Sequence, residues 1–383
     1  MRSAPRSKKS SSARQCGCGL RKAHHGCKRR SLVTQAGEIS VSRIYLRCVK
    51  CGCGGYPVDE RLGIQGRDSK QAQRLICLAA ASWSYDISSD RLEGFCGLKI
   101  SDTTIREVAQ EHGSKANEWL RLDPVAVQEF REARGDIEFT ADGTCVNTVD
   151  GWREMKVGIF SKRERGETAT PDEWATRDLP KPHTRIAFAA IEESDSFGSR
   201  WKAWCKRLGL PDTSAITMLA DGARWLWEEQ RQHLTHAEGV LDIFHVLEHI
   251  TATGQALYPD PNKASEWITK TREALLNEGW SGIDAITRPE RELGEVPRTE
   301  TERTILDKLR NYLSPHADHL HYAERLKEGR SIGSGQVEGA CQNLIGRRLK
   351  ANAARWRVRR INRMAGLCSV AYSHQWGPYW ESL

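Results

Sequence analysis

The sequence predicts an α/β fold built on a mixed sheet, and three stretches predict it. In DIEFTADGTCVNTVDGWREMKVGIF, from Asp136 to Phe160, strand periodicity is interrupted by Asp150-Gly151, a two-residue turn signal, so a β-hairpin is expected. TRIAFAAIEE, beginning at Thr184, reads as a third strand and is followed by a helix around SRWKAWCKRLG. AITMLAD, ending at Asp221, has the apolar, turn-bounded form of a buried parallel strand. Three strands in sequence, a helix and a parallel strand reproduce the order of a ribonuclease H-like fold.

The chain is 383 residues long, enough to bury a sizeable core and to hold two or three domains. It carries no apolar run of about 18 residues and no apolar stretch in MRSAPRSKKSSSARQ, so neither a membrane span nor export is expected. The expected compartment is therefore the reducing cytoplasm. In that setting twelve cysteines, six of them before residue 54, argue for thiols or metal ligands over disulfides. A net charge of +8 permits a polyanionic partner without requiring one.

Residues 1–15 form a basic, Ser-rich segment expected to be a disordered tail. Over 16–60, Cys16 and Cys18 stand at one end and Cys48 and Cys51 at the other, with the alternating stretch EISVSRIYLRC between them. Two cysteine knuckles joined by a hairpin make a zinc-ribbon layout, in which four thiolates around Zn²⁺ replace a missing apolar core. The Cys16-x-Cys18 knuckle is one residue tight, so Cys27, Cys53, His24 or His25 could substitute. Over 66–125 the pattern is helical and resembles a helix-turn-helix: Phe95-Cys96-Gly97 breaks it, and Ser101-Asp102 supply N-cap residues for a last helix. Thr103, Thr104 and Arg106 near its start could then reach a DNA major groove, although three-helix packings are common without DNA.

Residues 134–258 hold the strands already named, which place Asp142 in the first and Asp221 at the end of the fourth, each followed by glycine. Open α/β sheets gather ligands at the carboxyl ends of their strands. Beyond Asp221, Ile243, Val246, Leu247 and Ile250 fall on the apolar face of a helix, and Asp242, His245 and His249 are expected on the neighbouring face. Residues 259–330 are charged and helical, a predicted insertion with breaks at Pro259, Pro261, Pro289 and Pro315. In 331–383, a Ser/Gly loop leads to a predicted helix, QVEGACQNLIGRRLK, carrying Glu338, and then to a basic, Trp-rich tail. Arg347, Arg348, Lys350, Arg355 and Trp356 lie in an Arg-rich helix expected from Arg347 to Arg363, suited to tracking DNA phosphates and stacking on bases.

Two strand-end aspartates and a later glutamate are hard oxygen ligands of the kind Mg²⁺ and Mn²⁺ prefer. A pair of such ions about 3.5–4 Å apart serves phosphodiester hydrolysis or transesterification. Taken singly, an aspartate before glycine is most often a turn residue, and Glu338 is indistinguishable from any solvated helix glutamate.

The cysteine ribbon, Asp142-Gly-Thr144, LADGARW, LDIFHVLEH and GSGQVEGACQNLIGRRLKANAARW together resemble a bacterial insertion-sequence transposase of the ISKra type, in the Mutator-like DDE group. The resemblance spans nearly the whole chain. It implies a ribonuclease H-like catalytic core with Asp142, Asp221 and Glu338 as the triad, two Mg²⁺ (or Mn²⁺) per site, terminal inverted repeats and target DNA as partners, and a homo-oligomer. Relatives carry Cys-x-x-His where this chain has Asp242-Ile-Phe-His245, and a glycine is expected within ANAARW, where none occurs. His245 is carried over as a candidate for orienting a phosphate or the third carboxylate.

Three other readings compete. His245-Val-Leu-Glu248-His249 fits the HxxEH zinc-peptidase signature, but leaves the ribbon, the hairpin and the basic tail unexplained. A non-catalytic DNA-binding regulator would use only the ribbon and the three helices. A nuclease on the same fold would hydrolyse DNA without strand transfer.

Overall fold

The computed structural model describes residues 14–62, 64, 66–288 and 299–383. All but Arg14 and Gln15 of the predicted tail lies outside these residues, as does the break at Pro289. The chain divides into two compact units, with the boundary between His112 and Gly113.

In the first unit, β1 (Ala23–Thr34) and β2 (Gly37–Arg47) form the antiparallel hairpin, and β3 (Gly54–Gly55) pairs with the end of β2. Helix α1 (Pro57–Leu62) follows, its Asp59 bonded to Arg30 at 3.1 Å and to Arg43. Helices α2 (Lys70–Ser82) and α3 (Tyr85–Cys96) come next, and α4 (Asp102–Leu122) starts in this unit and ends in the second. Ser69 caps α2 through the Ala72 N–H, and Ser101 Oγ accepts from the Thr104 N–H at 3.2 Å, as expected of N-cap serines. The break between α3 and α4 is the predicted one at Gly97.

The second unit opens with α5 (Val125–Glu132) and is organised by a five-stranded mixed sheet. Strands β4 (Asp136–Thr148), β5 (Gly151–Arg163) and β6 (Thr184–Ala190) run antiparallel in sequence, and β7 (Ile216–Ala220) lies parallel to β4 after α6 (Ser194–Leu208). The hairpin turn has the expected two residues but lies one position earlier than the Asp150-Gly151 signal indicated. Thr148 pairs with Gly151, so Val149-Asp150 form the loop, and Gly151, at φ +96°, supplies the left-handed residue that closes it. Thr148 Oγ1 fastens this register by donating to the Gly151 carbonyl at 2.6 Å.

After α7 (Arg224–His233) comes a strand the sequence reading did not contain, β8 (Glu238–Leu241), parallel to β7. The order across the sheet is β6-β5-β4-β7-β8, with β4 at its centre. Helix α6 brings Trp201, fully buried, to 4.8 Å from Phe139 of β4, which itself lies 4.5 Å from Phe160 of β5. Each such aromatic pair adds roughly 0.5–1.5 kcal/mol beyond its burial.

The stretch read as an insertion is helical: α9 (Pro261–Glu278), α10 (Trp280–Thr287), α11 (Glu300–Leu313), a 3-10 turn at Ser314–His319 and α12 (Tyr322–Lys327), with α9 and α11 packed beside α8 (Ile243–Leu257). Two features of the last stretch differ from expectation. The helix carrying Glu338 is only α13 (Gly335–Ala340), and continues as a π-helix from Cys341 to Lys350. The Arg-rich segment is not one helix either: it breaks at Ala353, whose φ of +51° suits glycine, and resumes as α14 (Val358–Tyr372), ahead of α15 (Trp376–Ser382). That break falls within ANAARW, where the resembled pattern has its glycine. α14 packs on β6, with Ser373 Oγ accepting from the Ala187 N–H at 2.9 Å.

Candidate active site and metal centres

The four cysteines of the ribbon converge. Their sulfurs lie within 4.8 Å of one another, with Cys16–Cys18 at 3.3 Å, Cys16–Cys51 at 3.3 Å and Cys18–Cys48 at 3.6 Å. Tetrahedral zinc with 2.3 Å bonds sets sulfurs about 3.8 Å apart, so this cluster could hold a structural zinc with small adjustment. Backbone bonds shape both knuckles: Gly19 N–H to the Cys16 carbonyl at 2.9 Å, and Gly52 N–H to the Cys48 carbonyl at 3.0 Å. Cys53 Sγ stands 3.0 Å from Cys16 as a fifth thiol, whereas Cys27, His24 and His25 are not in the cluster.

Asp142 and Asp221 sit side by side. The parallel register pairs Thr140 with Leu219, and two residues further along each chain stand the two aspartates. Asp142 Oδ1 accepts from the Gly143 N–H at 2.6 Å, and its Oδ2 lies 3.5 Å from Cys341 Sγ. Burial, and then the charge of Asp221, raise the Asp142 pKa above the ordinary carboxylate range. Asp221 Oδ1 accepts from the Ala223 N–H at 2.9 Å, and its carbonyl accepts from Trp227 Nε1 at 2.7 Å.

Gly222 is required by its neighbour. A Cβ there would fall 2.3 Å from the ring of Tyr312, which α11 lays beside Asp221. Burial, followed by the Asp221 charge, pushes the Tyr312 hydroxyl up to about 12.

Asp242 is not on a face of α8 but at its N-cap, fully buried. Its Oδ1 accepts from the N–H groups of Phe244, at 2.7 Å, and His245, at 3.1 Å, and its Oδ2 accepts from the Ser334 N–H. The side chain thereby joins the end of β8 to the loop that leads into α13. The same loop is tied to β4 by Glu138, a buried carboxylate that accepts from Gln336 Nε2 at 2.6 Å and from Ser331 Oγ and pairs with Arg163 at 3.2 Å. Glu338 is held over the strand ends by these anchors at the start of its helix. Its carboxyl is exposed, yet partial burial and then the Asp242 and Asp142 charges raise its pKa.

Asp242, His245 and Glu338 each place a ligand atom within 4.8 Å of the others. His245 Nδ1 lies 3.5 Å from Asp242 Oδ1; burial disfavours its protonation, but Asp242 and Asp221 outweigh this and its pKa is raised. Asp142, Asp221, Glu338 and His245 thus feel one another's charge at one end of the sheet, but among the described residues the close ligand group around Glu338 is Asp242 and His245, not Asp142 and Asp221. His249 is drawn elsewhere, stacking on Tyr312 with ring centres 3.7 Å apart, so the HxxEH histidines do not share a ligand cluster.

The residues expected to touch DNA divide by exposure. Thr103 is exposed at the start of α4, with Thr104 and Arg106 half-buried. Arg347, Lys350 and Arg355 are exposed; Lys350 Nζ donates to Thr144 Oγ1, and Arg355 Nη2 to the Val149 carbonyl at 3.1 Å. Arg348 and Trp356 are buried, against expectation. The Arg348 guanidinium lies 5.0 Å above the Trp356 ring, whose Nε1 donates to the Leu349 carbonyl at 3.0 Å, so neither faces solvent for phosphate contact or base stacking.

Three residues of this site escaped the sequence reading in their structural roles: Asp242 as an N-cap, Tyr312 and Cys341. An aspartate directly before an apolar helical stretch is an N-cap signal that could have located the first. Cys341 follows Glu338 by three residues, one helical turn, but Tyr312 carries no local signal.

What the fold and site define is an α/β chain with a cysteine cluster in one unit and a carboxylate cluster at the strand ends of the other. It belongs to the uncharacterised protein family UPF0236, whose profile matches residues 22–377. No curated protein matches it. Among solved structures it is similar to the Drosophila P element transposase strand transfer complex, at 10% identity over 81% of this chain and 93% of that one, with a TM-score of 0.38. Among the described residues, no helix is long and apolar enough to cross a membrane.

Proposed function

We propose that this chain is a DNA transposase of an insertion sequence, a DDE enzyme of the Mutator-like, ISKra type, which cleaves at terminal inverted repeats and transfers strands to target DNA. The observation that carries the reading is Asp142 abreast of Asp221 on neighbouring parallel strands, with the Glu338 carboxylate near enough to shift with Asp142. The sheet order supports it, being that of a ribonuclease H-like core with a helical insertion ahead of the glutamate.

The donor types suit divalent cations, with two aspartates abreast and Glu338 across from them, although among the described residues the ligand atoms of all three do not lie within 4.8 Å of one another. Asp142 and Glu338 are both pushed toward protonation by burial and by neighbouring carboxylates, a repulsion that Mg²⁺ or Mn²⁺ bound to Asp142, Asp221 and Glu338 would relieve. Two such ions supply activation of the attacking oxygen and stabilisation of the leaving one. The protein's own part is placement. The N–H groups of Gly143 and Ala223 hold the aspartates in fixed orientations, and Glu138 and Asp242 fix the loop before Glu338. No side-chain nucleophile is required. In this reading exposed Arg347, Lys350 and Arg355 contact DNA backbone, the ribbon holds structural zinc, and the enzyme works as a homo-oligomer in the cytoplasm, on the nucleoid.

The test is incubation of the protein with Mg²⁺ and labelled DNA carrying the flanking ends of its own gene. End-specific nicks and strand-transfer products, both absent with Asp221→Asn, are expected. Hydrolysis without strand transfer would make the chain a nuclease, and cleavage unaffected by Asp221→Asn would overturn the site.

A further inference from the structure

We infer that Asp242, His245 and Glu338 form a mixed nitrogen–oxygen position that binds a divalent transition metal, Mn²⁺ in preference to Mg²⁺. The inference deepens the proposed function, because Glu338 belongs to both, and its test uses no DNA so that the two can fail separately.

Three features carry it. First, the donors are already gathered: one ligand atom from each residue lies within 4.8 Å of the others, while bonds of about 2.0–2.2 Å would draw opposed donors to about 4.4 Å at most. Second, the arrangement is preorganised on one side and open on the other. Asp242 is fully buried and held by three backbone N–H groups, whereas Glu338 is exposed, leaving room for water or substrate to complete the coordination. Third, among the described residues His245 Nδ1 is buried with no hydrogen-bond partner although it lies 3.5 Å from Asp242 Oδ1, and a metal lone-pair contact would satisfy that nitrogen.

Donor chemistry then selects the ion. Mg²⁺ favours oxygen ligands in near-ideal octahedral geometry and gives up water reluctantly, whereas an imidazole nitrogen shifts preference toward first-row transition ions, of which Mn²⁺ binds most weakly and shares the carboxylate and water preference of Mg²⁺. The loop order shows why a carboxylate at position 242 matters: a side chain at this N-cap reaches both the helix N–H groups and the Glu338 loop, so its oxygens are fixed before any ion arrives.

The experiment is Mn²⁺ binding to the full-length, zinc-loaded protein, followed by calorimetry and by pulsed electron paramagnetic resonance for coupling to ¹⁴N. The wild type is expected to bind Mn²⁺ with a histidine nitrogen coupling. His245→Gln should abolish that coupling and weaken Mn²⁺ at least about tenfold, with a much smaller effect on Mg²⁺. Should His245→Gln fail to fold, Glu338→Gln, at an exposed position, is expected to weaken Mn²⁺ while keeping the coupling. Absence of Mn²⁺ binding, bound Mn²⁺ without nitrogen coupling, coupling that persists in His245→Gln, or undiminished Mn²⁺ affinity in Glu338→Gln would each overturn the assignment. End-specific DNA cleavage lost with normal Mn²⁺ coupling would instead count only against the transposase reading.

Discussion

Replacing Asp242 with alanine removes one carboxylate from three backbone donors at once. Two of them, Phe244 N–H and His245 N–H, are the first-turn donors of α8, and their cap is worth about 1–2 kcal/mol. The third, Ser334 N–H, is in a buried residue and would be stranded, at about 1–3 kcal/mol. Relief of repulsion with Glu338 gives back less than about 1 kcal/mol, since Glu338 is exposed. The net expectation is about 1–5 kcal/mol of local stability, equivalent to roughly 5- to 5000-fold faster amide exchange in this region. Asp242→Asn discriminates further: its carbonyl can still cap α8, but its amide turns a donor toward the Ser334 N–H, so about 1–3 kcal/mol is lost, concentrated at the loop. Hydrogen exchange read by mass spectrometry on peptides covering 243–250 and 331–337 measures both. If alanine speeds exchange less than fivefold in both peptides, Asp242 does not clasp α8 to the loop before Glu338.

Two further outcomes follow from buried or clustered groups. His316 is buried against Trp227, with His319 and Arg231 nearby, and burial first and then these neighbours depress its pKa to about 4 from an ordinary 6.5. The unfolded chain therefore takes up this proton first, so stability is full above about pH 6.5 and falls by up to about 3 kcal/mol as pH drops to 4; His316→Phe should flatten that part of a denaturation-versus-pH profile, and an unchanged profile would contradict it. In the ribbon, one zinc per chain is expected by metal analysis, with Cys48→Ser losing it and exposing β1 and β2 to protease; a protein that binds no zinc would refute the tetrathiolate centre.

Much of this architecture could be read from residue order because the central strands are long and patterned. β4 and β5 announce themselves through alternation and an Asp-Gly turn, and β7 through five consecutive buried residues ending at a charged one. β8 could not be read the same way: four residues, one of them Gly239, are too few to establish a period. Its omission also explains the misplacement of Asp242, since the helical spacing of Ile243, Val246 and Ile250 extends smoothly backward onto a residue that in fact ends a strand connection. The site's carboxylates were legible as residues and unlegible as geometry, because the contacts that place Glu338, through Glu138 and Ser334, reach across 198 and 92 residues. Arg348 and Trp356 look like a DNA-facing pair in sequence, yet Arg348 is buried within the π-helical segment and Trp356 just beyond the break at Ala353. We have no local signal for the π-helix after Glu338.

The clasp between Asp242 and Ser334 also sets a timetable for the newborn polypeptide. Strands β4 through β8 leave the ribosome long before residue 334 is polymerised, so the sheet can form while Asp242 still lacks one of its three donors. A message truncated between Gly222 and Ser334 would therefore yield a product that keeps Asp142 and Asp221 but lacks Glu338 and the Ser334 end of the clasp.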